Sequence, residues 1–222
     1  MGKVWSINNN FGENKKIKEN YIFILSFILP MVIMFVVFTS LGVGFIGDKT
    51  IVSSDMYTQY VAYFGKFKDI LSGDGSIFYS FNKSIGGNNI GLFAYYLASP
   101  LNLLLIFFPK AAIGEFIFII YLIKIGLASL CFSLYISKVY KKKDLFVVIF
   151  SLCYALMSYN ICFQMNIMWM DGMMLLPFVA LGIEEIILKG KYKLYMIVLF
   201  MVVVSNYYIG YMICIFSVVY FF

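Results

Sequence analysis

The residues of this chain that could do acid–base chemistry are carboxylates, because the sequence contains no histidine and no arginine. Asp55 stands out among them, because it ends a Ser-Ser-Asp entry to an amphipathic pattern. It belongs to the stretch 46–110, which is neither a plain membrane span nor a short connector. Without histidine, any general base here must be Asp or Glu. The carboxylates of this stretch are Asp48, Asp55, Asp69 and Asp74.

Two interpretations of Asp55 stay open on the residues alone. Ser54 or Asp55 could cap the helix that follows by accepting backbone N–H bonds at its positive end. Alternatively, the helix N-terminus keeps the Asp55 carboxylate ionised at the external membrane face, as a base or a metal ligand. A divalent metal is therefore compatible with the sequence, which identifies no metal site and no other cofactor.

The pattern after Asp55 predicts an amphipathic helix. Its apolar side chains recur at helical spacing, with Gln59 on the opposite face and Lys68 inside the apolar stripe, where its ammonium must extend to water. The helix either lies on the membrane surface or packs against the helix bundle. The stripe consists of Tyr57, Tyr60, Val61, Phe64, Phe67 and Leu71.

A glycine- and asparagine-rich loop follows this helix and contains Asn82, Lys83, Asn88 and Asn89. Its paired glycines and asparagines could bind a sugar or a phosphate through backbone N–H groups. An ordinary surface loop explains the same composition equally well.

The composition identifies an integral membrane protein. Of 222 residues, 63% are hydrophobic and only 13% are charged, too little polar surface to cover a soluble domain. The cysteines lie in apolar runs without CxxC spacing, so we expect neither disulfides nor a zinc site. The net charge of +6 sits mainly in lysine clusters beside the spans, which argues against a nucleic-acid partner.

The apolar runs predict the spans and their orientation. Most lysines fall on one side if the spans alternate, so that side is the cytoplasm and the N-terminal segment 1–20 is cytoplasmic. The apolar run 90–108 would reverse this pattern if it crossed, so we expect it to stay in the interface or dip into the membrane, broken by Pro100 and Pro109. The predicted spans are 21–45, 111–139, 145–164, 172–188 and 194–222, with 46–110 as one large external loop and the chain as the N-terminal part of a longer protein.

Specific strings in the chain resemble the YfhO family of bacterial membrane proteins. They are SDMYTQY, YSFNKSIGGNNIGLFAYYLASPLNLLLIFFP, LIKIGLASLCFSLYISK and NIMWMDGMMLLPFVALGIE, and the resemblance covers most of residues 50–188. That family is similar to the GT-C class of glycosyltransferases. The resemblance implies an all-α polytopic helix bundle of GT-C type in the bacterial cytoplasmic membrane, with an interfacial helix in its first external loop.

The resemblance also implies an activity and its residues. GT-C enzymes use a polyprenyl-phosphate-linked sugar outside the membrane, with a catalytic acidic residue in the first external loop, and Asp55 matches that position. Asp171 would be a second acidic residue near the site. The expected acceptor is a cell-surface polymer such as a teichoic acid. Other candidates for substrate contact are Gln59, Asn88, Asn89, Trp169 and Lys124.

Lys124 lies near the middle of a predicted span, where a charge costs about 2.5 to 3.5 kcal/mol. We expect it to face the bundle and to meet an acid, a lipid phosphate or a water-filled cavity, and an acid in a further span is as well supported as a donor phosphate. It also keeps a transporter or flippase for a lipid-linked sugar in consideration, as the one mid-membrane charge. A membrane assembly factor without catalysis is the third alternative.

Overall fold

A computed structural model describes the backbone of residues 2–81 and 85–222, and the side chains of residues 20–81 and 85–222. The N-terminal lysine side chains, Asn82 and Lys83 lie outside these residues. The α-helices are α1 Gly2–Ser40, α2 Val61–Ser72, α3 Ile90–Leu92, α4 Ile113–Tyr140, α5 Leu145–Ala155, α6 Ser158–Cys162, α7 Met170–Lys189, α8 Lys193–Ser205 and α9 Tyr207–Phe221. Strands β1 Tyr79–Ser80 and β2 Gly87–Asn88 form an antiparallel hairpin. Short π-helical turns (Met56–Tyr60, Phe93–Leu97) and 3-10 helices (Pro100–Phe107, Lys110–Ala112) complete the segment between α1 and α4.

Helix α4 is the centre of the bundle. It packs against α1 and α5 on one side and α7 on the other, and α8 and α9 pack against α7. Buried side chains lie all around α4, as expected for a helix that is apolar on every face. The elements between α1 and α4 cover its N-terminal end.

Among the described residues, two helical stretches are long and apolar enough to cross a membrane, Asn20–Ser40 and Lys110–Tyr140. They correspond to the predicted spans 21–45 and 111–139. The first helix ends at Ser40, five residues before the end of the predicted span, because the chain turns through Gly42 and Gly44, both at positive φ. Of the remaining predicted spans, 172–188 lies within the continuous helix α7, whereas 145–164 and 194–222 are each divided into two helices.

The apolar run 90–108 is sharply bent. Its two halves, Ile90–Leu97 and Pro100–Phe107, meet at 87°. The break falls at Ala98 and Ser99, immediately before the proline that the sequence identified as a breaker. A bend of this size gives the shape of a re-entrant loop or a broken span, and the non-crossing topology stays a prediction.

Two predicted spans are not continuous helices. The segment 145–164 is divided into α5 and α6. The segment 194–222 is divided at Asn206 into α8 and α9, which form an antiparallel hairpin. A Cβ on Gly210 would lie 2.8 Å from the Val203 Cα atom, so only glycine allows the two helices to approach this closely.

The amphipathic helix packs on the bundle, one of the two placements that its sequence left open. Tyr60, Phe64 and Phe67 are buried in the main core, and the rings of Phe64 and Phe116 lie 5.2 Å apart. Tyr57 is 73% exposed and Met56 is buried instead, so the buried stripe begins one residue earlier than predicted. Lys68 donates to the carbonyl oxygens of residues 105 and 106, at 3.3 and 2.8 Å, in place of the predicted extension to water.

Buried asparagines satisfy the backbone at the helix breaks. Asn102 donates to the carbonyls of Tyr96 (3.5 Å) and Leu97 (3.1 Å), and Asn160 donates in the same way to Tyr154 (3.3 Å) and Ala155 (2.9 Å). Asn206 donates to the Tyr95 carbonyl at 2.8 Å. The last carbonyls of a helix have no intrahelical donor, and in an apolar environment each needs one. These amides therefore allow the helices to end inside the protein.

We expect Asn102→Ala to lower the free energy of unfolding by about 1 to 3 kcal/mol, because it leaves buried carbonyl groups without a donor. Thermal unfolding in detergent measures this change. Asn88→Ala is the matched control: Asn88 is exposed and its side chain accepts from the Ile90 N–H at the surface, so its effect is expected to be smaller. Equal losses in the two variants would contradict the assigned role of Asn102.

Candidate functional site

An ion pair lies in the interior of the bundle, next to the segment between α1 and α4. Lys124 Nζ on α4 is 2.7 Å from Asp171 Oδ2 on α7, and both side chains are 1% exposed. Lys124 also donates to the Ile167 carbonyl at 2.9 Å, and the Ser99 hydroxyl donates to Asp171 Oδ1 at 2.9 Å. The pair therefore connects α4, α7 and the bend of the 90–108 run.

The ion pair confirms that Lys124 faces the bundle and meets an acid. Its acid is on α7 within this chain, not on a further span or a bound phosphate. Asp171 lies in the first turn of α7, where the helix dipole also favours a carboxylate. Because both groups are buried and paired, they connect α4 with α7, and their predicted contact with substrate stays a prediction.

Above the ion pair, aromatic side chains from four segments meet. We call this group the tyrosine cluster. The Tyr96 ring is central, with its centroid 5.2 Å from Tyr60, 4.7 Å from Tyr63 and 4.7 Å from Tyr95. Tyr95 extends the cluster towards the start of α9. The cluster consists of Tyr60, Tyr63, Tyr95, Tyr96, Trp169, Tyr207 and Tyr208.

Two π-helical turns hold the centre of the cluster. Met56–Tyr60 and Phe93–Leu97 face each other, and the Tyr96 hydroxyl donates to Gln59 Oε1 at 2.9 Å across the gap. The Tyr60 hydroxyl lies 3.1 Å from Asn166 Oδ1 in the loop before α7. Single π-helical turns within helices occur frequently at functional sites, so this region is the leading candidate for a site.

Asp55 lies at the start of the first π-helical turn and is exposed. Its side chain makes no capping hydrogen bond, so the interpretation as a side-chain cap is wrong. Ser54 just before it has φ +51°, a strained conformation for a residue other than glycine. The tyrosine cluster is near enough to sense the Asp55 charge: burial is the main cause that raises the pKa of Tyr60, and Tyr96, Tyr95 and Asp55 add to it.

The other predicted contact residues divide into two groups. Gln59 and Trp169 belong with the tyrosine cluster, since Trp169 Nε1 donates to the Tyr95 hydroxyl at 3.2 Å. Asn88 and Asn89 lie apart from it, at the end of the β-hairpin. Asn88 closes a surface turn with its side chain, whereas Asn89 is buried.

The carboxylates do not assemble a metal centre in the part of the chain that the structure describes. There, no three His, Cys, Asp or Glu side chains come together. Asp69 is occupied by an ion pair with Lys110. The described residues therefore contain no preformed cluster of carboxylates that would hold a divalent metal by itself.

Sequence reasoning missed several residues of this site. Ser99, Asn102 and Asn206 have short polar side chains inside or beside apolar runs, and each is buried and bonded in the structure. A polar residue in an apolar run is costly unless paired, and this was the available signal. The Tyr-Tyr doublets at 95–96 and 207–208 were the signal for the tyrosine cluster.

The fold and site define a class: a helical membrane protein in which an aromatic cluster with a neighbouring carboxylate lies close to a buried ion pair. A family comparison makes this more specific. The profile of the bacterial membrane protein YfhO matches residues 26–222, and the chain belongs to that family. This confirms the resemblance drawn from the sequence. No curated protein and no solved structure matches the chain.

Removing either charge of the buried pair should destabilise the protein strongly. We expect Lys124→Met and Asp171→Leu each to lower the free energy of unfolding by about 3 to 5 kcal/mol, because each leaves an uncompensated buried charge. The double variant should lose much less than the sum. A double-mutant cycle followed by thermal unfolding in detergent measures the coupling.

Lys138→Met is the matched control for this cycle. Lys138 pairs with Glu185 at 2.8 Å but is 49% exposed, so its loss should cost under about 1 kcal/mol. Additive single effects, or a Lys124→Met effect no larger than that of Lys138→Met, would show that the buried pair does not hold the bundle together.

Proposed function

We propose that this protein is a membrane glycosyltransferase that moves a sugar from a polyprenyl-phosphate donor to a cell-envelope polymer on the external face. The observation that carries the proposal is the environment of Asp55. Among the described residues its carboxylate makes no hydrogen bond and no ion pair, and it lies exposed beside the tyrosine cluster. Membership of the YfhO family is consistent with such a role.

The tyrosine cluster suits a sugar. Tyrosine and tryptophan present an apolar ring face together with a polar group, and a sugar has both apolar C–H faces and hydroxyls. Gln59 and Trp169 are the neighbouring residues that we assign to sugar contact. The donor lipid would lie in the bilayer beside the apolar 90–108 run, which brings its sugar to the cluster.

In the proposed reaction Asp55 accepts the proton of the acceptor hydroxyl. The oxygen of that hydroxyl then forms a bond to the anomeric carbon, while the bond between that carbon and the phosphate oxygen breaks. The polyprenyl phosphate leaves with the electron pair. General base catalysis of this kind contributes about 10²- to 10⁴-fold to a rate. Inversion at the anomeric carbon follows from the family likeness.

The buried ion pair weighs against a transporter for the lipid-linked sugar. Such a path would use the mid-membrane charge of Lys124, yet Lys124 is 1% exposed and paired with Asp171. A charge held in this way is not available to a substrate that passes through the bundle. A scaffold without catalysis would not require an acidic residue at position 55.

We expect Asp55→Asn to lower sugar addition to the envelope polymer by about 10²-fold or more, because the amide cannot accept the acceptor proton. Expression and thermal stability should stay unchanged, since the carboxylate makes no structural contact. Mass spectrometry of the extracted polymer measures sugar content. Asp74→Asn, at an exposed turn in the same external stretch, is the control and should retain activity. Full sugar addition by the Asp55→Asn variant would exclude the proposed mechanism.

A further inference from the structure

A cavity lies beside the tyrosine cluster, between α2, the β-hairpin and the start of α3. Its volume is about 470 Å³, within the range of roughly 300 to 1,000 Å³ that is usual for small-ligand sites. Tyr63 lines it and also packs on Tyr96, so the cavity borders the cluster. Its polar lining comes from Lys66, Asp69, Ser80 and Asn89.

Asn89 lines this cavity and carries a buried, unpaired side-chain donor. The residue is 3% exposed, and its backbone is fully used: the N–H donates to the Phe78 carbonyl and the carbonyl accepts from the Phe93 N–H. Its side-chain Nδ2 has no hydrogen-bond partner among the described residues. Buried polar groups are almost always paired, so an amide left unpaired at the wall of a cavity points to a ligand with an acceptor oxygen.

Lys66 contributes a positive charge. It is half-buried, and within the ranges 20–81 and 85–222 its ammonium has neither an ion pair nor a hydrogen bond. Its neighbour Lys68, in contrast, is used structurally by the carbonyls at 105 and 106. The carboxylate in the lining, Asp69, is neutralised by Lys110.

This lining selects for an anion. An ammonium and an amide N–H group are both donors, and the local charge that remains after the Asp69–Lys110 pair is positive. Lysine is a common binder of phosphate in proteins. We propose that this cavity binds a phosphate-ester anion through Lys66 and Asn89.

The source of that phosphate rests on the proposed function, whereas the anion site itself does not. The two sources are the phosphate of the donor lipid and the phosphodiester of a surface polymer. Both carry the same oxyanion, and the cavity borders the cluster to which we assign the sugar. Their different remainders, a prenyl chain or glycerol units, allow an experiment to separate them.

The test measures binding of two probes to the purified protein in detergent by calorimetry. The probes are a short-chain prenyl phosphate and a glycerol-phosphate oligomer. We expect at least one to bind, and Lys66→Met to weaken it by about tenfold or more, because a charge-assisted contact is lost. Lys49→Met is the matched control, because Lys49 is an exposed lysine of the same stretch that does not line this cavity. The Lys49→Met variant should bind the probe with unchanged affinity.

Asn89→Leu separates a binding role from a structural one. It should weaken the same probe by severalfold but leave the unliganded protein equally or more heat-stable, since it removes an unpaired buried donor. If Lys66→Met weakens binding of the prenyl phosphate, the site binds the lipid phosphate. If it weakens binding of the glycerol-phosphate oligomer, the site binds the polymer. Binding that is unaffected by both variants, or no binding of either probe, overturns the proposal.

The binding assay and the sugar-transfer assay together distinguish failure of the anion site from failure of the proposed function. Asp55 does not line the cavity, so Asp55→Asn should bind the probe as the unaltered protein does. If binding depends on Lys66 but the protein transfers no sugar, the anion site stands and the glycosyltransferase proposal fails.

Discussion

The buried ion pair between Lys124 and Asp171 is the constraint on which the rest of the structure depends. Neither charge is tolerable alone in an apolar interior, so α4 and α7 must lie side by side at this depth. Asp171 has a second oxygen, which the Ser99 hydroxyl satisfies. This contact holds the bend of the 90–108 run against the bundle, so an electrostatic requirement in the protein interior fixes where that run sits.

The second constraint is that several helices end inside the protein, where their last carbonyl groups need hydrogen-bond donors. Buried asparagines provide these donors. Asn102 and Asn206 donate to the last carbonyls before the bend, so Tyr95 and Tyr96 can be held at a helix end without water. The opposing π-helical turn supplies Tyr60 and places Asp55 at the edge of the same surface. The candidate site is thus built at helix irregularities, and its precision comes from the polar groups beneath them.

The sequence predicted those features that depend on composition and periodicity. The helical membrane character, the two long spans, the break near Pro100 and the family were all predicted, because each leaves a local signal. The division of 194–222 at Asn206 was missed, since an unbroken apolar run hides a hairpin that close packing at Gly210 permits. The partnership of Lys124 with Asp171 was missed because it joins residues 47 positions apart, a pairing that no local pattern records. Of the two interpretations of Asp55, the side-chain cap was wrong, because Ser54 takes a left-handed conformation and the helix begins without a side-chain cap. Its catalytic role stays a prediction.

Sugar transfer in a reconstituted system tests most directly the proposal that this chain makes a glycosidic bond. The purified protein is reconstituted in vesicles with a polyprenyl-phosphate-linked labelled sugar and an acceptor polymer, and the label is followed by mass spectrometry. For a glycosyltransferase, we expect the label to move to the polymer and free polyprenyl phosphate to accumulate in equal amount. Label that stays on the lipid, or that crosses the vesicle membrane still attached to the lipid, would contradict the proposed glycosyltransferase function.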